Sequence, residues 1–344
     1  MKIRLLLICL LSFGLFRCSD RLPESLGPAR KVIVLADAED WKSLEVPLRE
    51  IFEKEIYTPQ TERLFEIERG DIEHFYAYKH AIRKSLMIIS PIDAQHETGV
   101  FLRKILSEDV QNTIRNDKSA VTWKRDIWAQ DQLLMMVSGK DIDVVTDNLW
   151  MSSGELFSAL EGSVLGSIKE RVYSFGERED VTQELAQKYG WSVNVPFGYR
   201  ILEAYPDSGI VTLAKDNPNR WLFVYWEDGI HPDQITEEWC IQKRDDITGR
   251  LFGGDRIVPG DVQVSQTEFG GKLAVVLQGI WENEKEWKGG PFKSYAFLDI
   301  DQNRFYFIDM GLYAPNKDKL PYIRQVDLIS QTFQIYDPDI LTLQ

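Results

Sequence analysis

An acidic cluster between two tryptophans is the stretch of this sequence best suited to chemistry. Three glutamates at alternate positions are flanked by indoles, in the order Trp281, Glu282, Glu284, Glu286 and Trp287. Aromatic side chains beside carboxylates suit sugar binding, and two carboxyls at the right separation support acid–base hydrolysis of a glycoside. Two other interpretations stay open: a solvated acidic loop with anchoring indoles, or an exposed tryptophan pair that contacts another protein.

A second candidate site lies at Arg125, Asp126 and Trp128, on a predicted strand. An arginine next to an aspartate can bind a carboxylate or a charged partner. The alternative is that each charge pairs with another residue where two domains meet, as an interface ion pair. Of the two arrangements, the sequence favours the interface ion pair.

The sequence has no pattern of metal ligands. None of its four histidines belongs to an HExxH motif, and the first two are too far apart to share a helix face; they are His74, His80, His96 and His231. Residues 299–303, DIDQN, imitate the start of a calcium loop, but Arg304 replaces the glycine that such a loop needs. We expect a hairpin turn there, and we expect no metal and no cofactor.

Nucleophile motifs are equally absent, since the chain has no GxSxG elbow. Cys240 lies among apolar positions of a predicted helix and is expected to be a buried small hydrophobe. Gly253 and Gly254 end a helix, so they do not form a phosphate loop, and the 289–291 stretch, Gly-Gly-Pro, is predicted to turn the backbone sharply. The sequence assigns no catalytic residue; it leaves enzymatic activity undecided and favours a non-catalytic protein.

The first 17 residues have the pattern of a signal peptide. Lys2 and Arg4 precede an apolar run from Leu5 to Phe16, and Cys18 follows almost at once. This order predicts a lipoprotein signal in which the Cys18 thiol is lipidated, although Arg17 stands where such signals have a small residue. A plain secretory signal or an uncleaved anchor is the alternative. After cleavage only Cys240 would accompany Cys18, so no disulfide is expected among the remaining residues.

The negative net charge argues against two classes of binding partner. The chain has 40 Lys and Arg residues against 54 Asp and Glu residues, a formal net charge of −14. A nucleic-acid partner is not expected, because such proteins need a basic surface to displace counterions. The same balance makes an anionic lipid surface an unfavourable docking site.

The pattern of elements predicts a mixed α+β fold with two domains. After a tether at 18–30, strands alternate with helices over 31–188, which indicates an α/β sandwich with a helical connector. Residues 189–336 are predicted to form an antiparallel sheet with helices mainly on one face, and 337–344 form a tail. The sheet includes a meander whose strands are predicted at 273–277, 292–299 and 304–312. Its order of elements is similar to that of the PsbP/Mog1 type of domain, which by itself implies no function.

Six short stretches together resemble an uncharacterised family of Bacteroidota envelope lipoproteins, domain-of-unknown-function family 4837. They are GPAR (27–30), KRDIWAQDQ (124–132), VPFGYR (195–200), KRD (243–245), GGPFKSY (289–295) and YAPNKDK (313–319). The resemblance implies a lipid-anchored protein facing the periplasm or the cell surface. It supplies no activity, no cofactor and no catalytic residue.

Two functional hypotheses follow from the sequence. The first is a non-catalytic envelope protein, anchored by lipid to the outer membrane on its periplasmic side, that works by contacting another envelope protein. The side is inferred because no acidic run follows Cys18. The second is a glycan-binding or glycan-cleaving protein that uses the 281–287 loop. The two differ in geometry, because a glycan site requires the carboxylates to line a concave cleft beside an exposed indole.

Overall fold

The computed structural model describes residues 22–56, 58–77, 82–116 and 120–336. Within them two large sheets are formed, one of five strands and one of seven, together with two small two-stranded sheets. The five-stranded sheet belongs to the first half of the chain and the seven-stranded sheet to the second. The mixed α+β class predicted from the sequence is confirmed.

The first sheet has the order β4-β1-β5-β7-β6. Its strands and those of a small hairpin, β2–β3, are β1 Lys31–Leu35, β2 Glu55–Ile56, β3 Glu62–Arg63, β4 Glu66–Gly70, β5 Ser85–Pro91, β6 Ala120–Arg125 and β7 Leu133–Gly139. Neighbouring strands are parallel except for β6, which pairs antiparallel with β7 as predicted. Every residue of the central strand β5 is buried, because a parallel strand covered by helices on both faces contacts no water.

Helices cover both faces of this sheet. They are α1 Ala38–Phe52, α2 Ile72–Ala77, α3 Glu97–Ile105, α4 Glu108–Arg115, α5 Ile142–Met151 and α6 Ser153–Val172. One core contains apolar residues of α1, α5 and α6, and the core on the opposite face contains those of α2, α3 and α4. The predicted α/β sandwich is therefore present. Pro47 lies inside α1, and the Asp37 side chain caps this helix by accepting from the N–H of Glu39.

The second sheet is antiparallel throughout, in the order β12-β13-β14-β15-β11-β10-β9. The elements of this half are α7 Glu179–Tyr189, β8 Trp191–Ser192, β9 Arg200–Tyr205, β10 Ile210–Lys215, β11 Asn219–Asp228, α8 Glu237–Leu251, β12 Arg256–Phe269, β13 Lys272–Asn283, β14 Lys288–Asp299, β15 Arg304–Tyr313, α9 Leu320–Ser330 and β16 Gln334–Ile335. Helix α8 packs on one face, and α7 and α9 pack on the other. Two of these three helices thus share one face of the sheet, and α8 lies on the other.

The hairpin β13–β14 is longer than the sequence indicated. Its pairing continues to Asn283 opposite Lys288, so the connection between the strands predicted at 273–277 and 292–299 shortens to the four residues 284–287. Strand β12 has no counterpart in the sequence prediction. It is an edge strand, mostly exposed and polar, and such a strand lacks the alternation of apolar residues that identifies a half-buried one.

The two halves are joined by polar contacts at the start of α9. Both oxygens of Glu62 accept hydrogen bonds from backbone N–H groups, Oε1 from Lys319 at 2.6 Å and Oε2 from Leu320 at 3.0 Å. Arg324 also donates to Glu161 of α6 at 2.9 Å. A carboxylate from the first half therefore caps a helix of the second. Among the described residues, no helix combines the length and the apolarity required to cross a membrane.

Candidate functional site

The turn at residues 284–287, which closes the β13–β14 hairpin, presents an indole to solvent. Trp287 is 91% exposed and has a φ of +54°, a left-handed conformation that is unusual for a bulky residue. The turn is held by Asn283, whose Oδ1 accepts from the backbone N–H groups of Lys285 at 3.1 Å and Glu286 at 3.0 Å. A short, hydrogen-bonded turn therefore keeps a large aromatic side chain in water.

The second indole of the sequence motif lies in the core. Trp281 is only 2% exposed, its Nε1 donates to the carbonyl of Leu312 at 3.3 Å, and its ring meets Trp221 edge to face with the centroids 5.3 Å apart. Trp281 and Trp287 consequently do not form a pair of exposed platforms. The two indoles differ in exposure because Trp281 lies in strand β13, where alternate side chains face the core, whereas Trp287 lies in the turn beyond the strand.

The three glutamates of the motif are neutralised by neighbouring cations. Arg256 forms ion pairs with Glu282 and Glu284 at 2.9 and 2.5 Å, and Lys288 pairs with Glu286 at 2.5 Å. All three carboxylates are exposed or partly exposed. They do not form the two uncompensated, converging carboxyls that acid–base cleavage of a glycoside requires.

Beside this hairpin lies a cleft of about 340 Å³. Its aromatic wall consists of Trp221, Phe252, Trp281 and Tyr313, and its charged residues are Asp255, Glu286 and Lys288. Strands β11, β13 and β15 supply the walls, and the end of α8 supplies the base. This volume lies within the range of small-ligand sites, which are commonly apolar with a few polar groups.

Asp255 is the titratable group of this cleft whose pKa is shifted most from its ordinary value. It follows the glycines that end α8 and is only 6% exposed. Its Oδ1 accepts from Asn283 Nδ2 at 2.7 Å. Burial raises the pKa of Asp255 to about 6; the carboxylate of Glu286 adds to the rise, whereas Asn283, Arg244 and Lys288 oppose it. Asp255 therefore changes charge near neutral pH.

Two glycines, Gly290 and Gly311, allow close packing around the cleft because they have no Cβ atom. A Cβ at Gly311 would lie 2.1 Å from the Trp221 ring, and one at Gly290 would lie 1.9 Å from the carbonyl oxygen of Leu312. Gly289 and Gly290 belong to strand β14. The prediction of a sharp turn at Gly-Gly-Pro is therefore wrong: the glycines permit close approach of neighbouring backbone within the sheet.

The residues of the second sequence motif lie in the other sheet. Arg125 and Asp126 are exposed at the end of β6, and neither forms an ion pair within the part of the chain that the structure describes. Trp128 packs against Phe75 and Phe101, with centroids 5.4 and 6.5 Å apart. The indole thus belongs to the apolar core, and the structure does not combine this motif with the cleft.

The remaining candidates from the sequence are structural where they are described. Cys18, His80 and the His74 side chain lie outside the described residues. His96 caps α3 by accepting from the N–H of Gly99 at 3.3 Å, and its Nε2 contacts Asp40 at 2.9 Å. Cys240 is buried. No cluster of three potential metal ligands occurs among the residues described.

Sequence reasoning did not identify Asp255, Trp221 or Tyr313 as site residues. Only one local signal pointed to them: an aspartate directly after Gly253 and Gly254, where a helix ends and the chain enters a strand. Trp221 and Tyr313 come from strands that are separated widely in sequence. Their convergence depends on the strand order of the sheet.

Two family models match the chain. Residues 178–332 match a domain of unknown function (DUF4837), and residues 25–173 match a second domain of unknown function (DUF8532). The resemblance to family 4837 is confirmed for the C-terminal half, whereas the stretches at 27–30 and 124–132 lie within the second match. No curated protein matches the chain.

Similar solved structures cover less than half of the chain. A point mutant of the protein Mog1 has 11% identity and a TM-score of 0.32, covering 44% of this chain and 94% of its own. Mog1p, a Ran-binding protein of Saccharomyces cerevisiae, has the same identity and score, with 44% and 93% covered. LpqN, described as involved in cell envelope biogenesis of Mycobacterium tuberculosis, has 13% identity and a TM-score of 0.30, with 43% and 83% covered. These scores support no argument about function.

Proposed function

We propose that this chain is a non-catalytic protein of the cell envelope, held to a membrane by lipid on Cys18, that binds another protein through the 284–287 turn. The observation that supports the proposal is the Trp287 side chain, 91% exposed on a turn that the Asn283 side chain holds in place by accepting from two backbone N–H groups. An indole kept in water contributes nothing to the folded core, and tryptophan is enriched among the residues that anchor protein contacts.

The surroundings of Trp287 suit a protein contact. Tryptophan is enriched among the residues that dominate binding energy, and polar groups commonly surround such anchors. Here the surrounding groups are the ion pairs of Arg256 with Glu282 and Glu284, and of Lys288 with Glu286. Because these charges are already paired with one another, little free energy would be lost when a partner excludes water from around Trp287.

The location is part of the proposal. A basic start, a twelve-residue apolar run and Cys18 support export and lipidation. The absence of an acidic run after Cys18 supports retention at the periplasmic side of the outer membrane. The partner is then a protein of the same compartment, such as a component of an assembly or transport machine.

Photo-crosslinking in intact cells tests the contact. A photoreactive phenylalanine at position 287 should yield one crosslinked species of defined mass. The same residue at position 175 is the matched control, because Phe175 is also a large, exposed apolar side chain (82%) but lies outside the hairpin, in the segment before α7. With the crosslinker moved to position 285, Trp287→Ala should remove the product. Equal products from 287 and 175, or a product that survives Trp287→Ala, would contradict the proposal.

The anchor is tested separately. Metabolic labelling with a tagged fatty acid should modify the wild-type chain and not the Cys18→Ser variant, and the variant should leave the membrane fraction. Labelling that persists in Cys18→Ser would place the lipid elsewhere, and an unlabelled wild-type chain would remove the anchor from the proposal.

Glycan binding at the same turn is the alternative function. One exposed indole face can stack on a sugar ring, and Glu286 lies next to it, but the burial of Trp281 removes the second platform. A wild-type chain that is retarded in an affinity gel containing envelope polysaccharide, and a Trp287→Ala variant that is not, would favour this alternative over protein contact.

A further inference from the structure

The cleft beside the β13–β14 hairpin is lined by a largely buried carboxyl, that of Asp255, with one oxygen that no described group of the protein engages. Asp255 Oδ1 accepts from Asn283, whereas Oδ2 has no hydrogen-bond or ion-pair partner among the described residues. The side chain is more than nine-tenths buried, yet it lines the cleft. Oδ2 is not one of the fully enclosed side-chain atoms without a partner in the described structure, so it keeps some contact with the cleft. A ligand in the cleft can therefore bring a donor to it, and a hydrogen bond to a charged group is stronger than one between neutral groups.

Two of the cations near Asp255, Lys288 and Arg244, are paired with other acids, and a third, Lys285, lies beside Gly254 but forms no ion pair with Asp255 in the described structure. Lys288 Nζ pairs with Glu286 at 2.5 Å. Arg244 Nε donates to Asp309 Oδ2 at 2.7 Å, and its guanidinium lies 3.6 Å from the centroid of the Phe292 ring. Asp255 is consequently the acid of this site that lacks a counter-ion. A cationic ligand supplies both a hydrogen-bond donor and the missing positive charge, whereas a neutral ligand supplies only the donor.

The walls of the cleft define the rest of the ligand. Trp221, Phe252, Trp281 and Tyr313 surround it with apolar and aromatic surface, which favours aliphatic carbon and attracts a cation to the ring faces. We propose that this cleft binds a primary alkylammonium group, with Asp255 Oδ2 as its acceptor and the aromatic wall around its carbon chain. Such a small-molecule site goes beyond the proposed protein contact, because Trp287 is not among the cleft residues.

Binding of this kind depends on the charge of Asp255. The charged groups that influence it are Arg244 of α8 and Glu286 and Lys288 of the hairpin, with Asn283 donating to it. Burial raises the pKa of the carboxyl to about 6, so the anion forms only as the pH rises through that value. An alkylammonium ligand stays protonated up to a pH of about 10. Affinity should therefore increase between pH 5 and pH 7.5.

Calorimetric titration of the full chain in detergent with n-butylammonium tests the proposal, with n-butanol and butyrate as probes of the same length. We expect n-butylammonium to bind, and the two other probes to bind at least tenfold more weakly. From a pKa of about 6, affinity at pH 5 should be about tenfold lower than at pH 7.5. Asp255→Asn should weaken binding at least tenfold and remove the pH dependence, while keeping an acceptor for Asn283.

Two further variants make the result decisive. Asp245→Asn is the matched control, because Asp245 is a partly buried acid of α8 that does not line the cleft, and it should bind as the wild type does. Leu202→Trp should block the cleft mouth from β9, where Leu202 is about half exposed, and should abolish binding with the carboxyl intact. Equal affinity of the wild type and Asp255→Asn, equal binding of n-butanol, or full binding by Leu202→Trp would overturn the proposal.

Discussion

At the scale of single residues, the acids around the β13–β14 hairpin differ because one of them is buried. Glu282, Glu284 and Glu286 keep contact with water; the first two share Arg256 and the third pairs with Lys288. Keeping these side chains charged therefore costs little free energy. Asp255 loses most of its water and gains only one hydrogen bond from Asn283. Desolvation therefore dominates its behaviour, and its protonation becomes part of the stability of the fold.

Asp255→Asn should stabilise the protein at high pH and leave it unchanged at low pH. The ordinary pKa of an aspartate is 3.8, and below that pH the carboxyl is protonated in the folded and the unfolded chain alike. Between pH 3.8 and about pH 6, only the folded chain keeps the proton. Stability is thus lost as the pH rises through about 6. The variant should recover on the order of 1–3 kcal/mol at pH 8, measured by urea unfolding at both values of pH. An equal effect at pH 3.5 and pH 8 would contradict this account.

Gly311→Ala should destabilise the cleft by a steric mechanism. The new methyl group would overlap the Trp221 ring, at 2.1 Å from Cζ2, and overpacking of this kind costs about 1–3 kcal/mol or more. Gly162→Ala is the control, since nothing lies within 4 Å of a Cβ at that position of α6, and it should gain about 0.5–1 kcal/mol. Urea midpoints compare the two, and a neutral Gly311→Ala would mean that Trp221 moves freely.

At the scale of elements, a buried ion pair attaches α8 to the sheet. Arg244 of α8 and Asp309 of β15 are both almost fully buried and pair at 2.7 Å. Ser294 of β14 also donates to Asp309 at 2.7 Å. Arg244 Nη1 and Asp309 Oδ1 have no partner in the described structure. The pair therefore fixes the position of α8 but does not recover the whole cost of its desolvation.

Removing one partner of this pair should cost more than replacing both. Asp309→Ala leaves the guanidinium of Arg244 buried without its counter-ion, which costs about 3–5 kcal/mol. The double variant Arg244→Met with Asp309→Leu fills the same space with apolar groups and should be much closer to the wild type. Urea unfolding at neutral pH measures both. If Asp309→Ala lost less than about 1 kcal/mol, α8 would be held by its apolar contacts alone.

At the scale of the whole molecule, the two halves meet where Glu62 caps α9. This carboxylate satisfies two of the backbone N–H groups that every helix start leaves without partners. Arg324 and Glu161 reinforce the junction at 2.9 Å. The two halves are thereby joined through a helix terminus, to which Arg30 with Asp318 and Lys319 with Gln60 add further polar contacts.

Glu62→Ala should weaken that coupling more than it weakens either half. Loss of a helix cap costs about 0.5–2 kcal/mol, and here the lost contact crosses the junction. We expect thermal unfolding, followed by calorimetry, to separate into two transitions. Asp141→Ala is the control, because Asp141 caps α5 within the first half by accepting from Val144 N–H at 2.9 Å. If both variants lost a similar amount of stability and neither unfolded in two separate transitions, Glu62 would act only as a local cap.

The sequence by itself determined the elements that depend on neighbouring residues. The apolar run of β5 predicts a strand, Gly190 marks the end of α7 with a φ of +75°, and the 301–303 turn joins β14 to β15. The mixed fold class follows from the order of such elements. Each of these signals acts within a few residues, and the same local forces operate in the folded protein.

The tertiary structure alone decided which of these residues form a site. Trp281 and Trp287 are equivalent in the sequence, but one packs in the core and the other stays in water. Asp255 has its raised pKa because α8, β13 and the hairpin turn surround it, and Glu62 reaches a helix 257 positions away. Burial and convergence come from contacts between distant segments, and the spacing of residues along the chain contains no record of them.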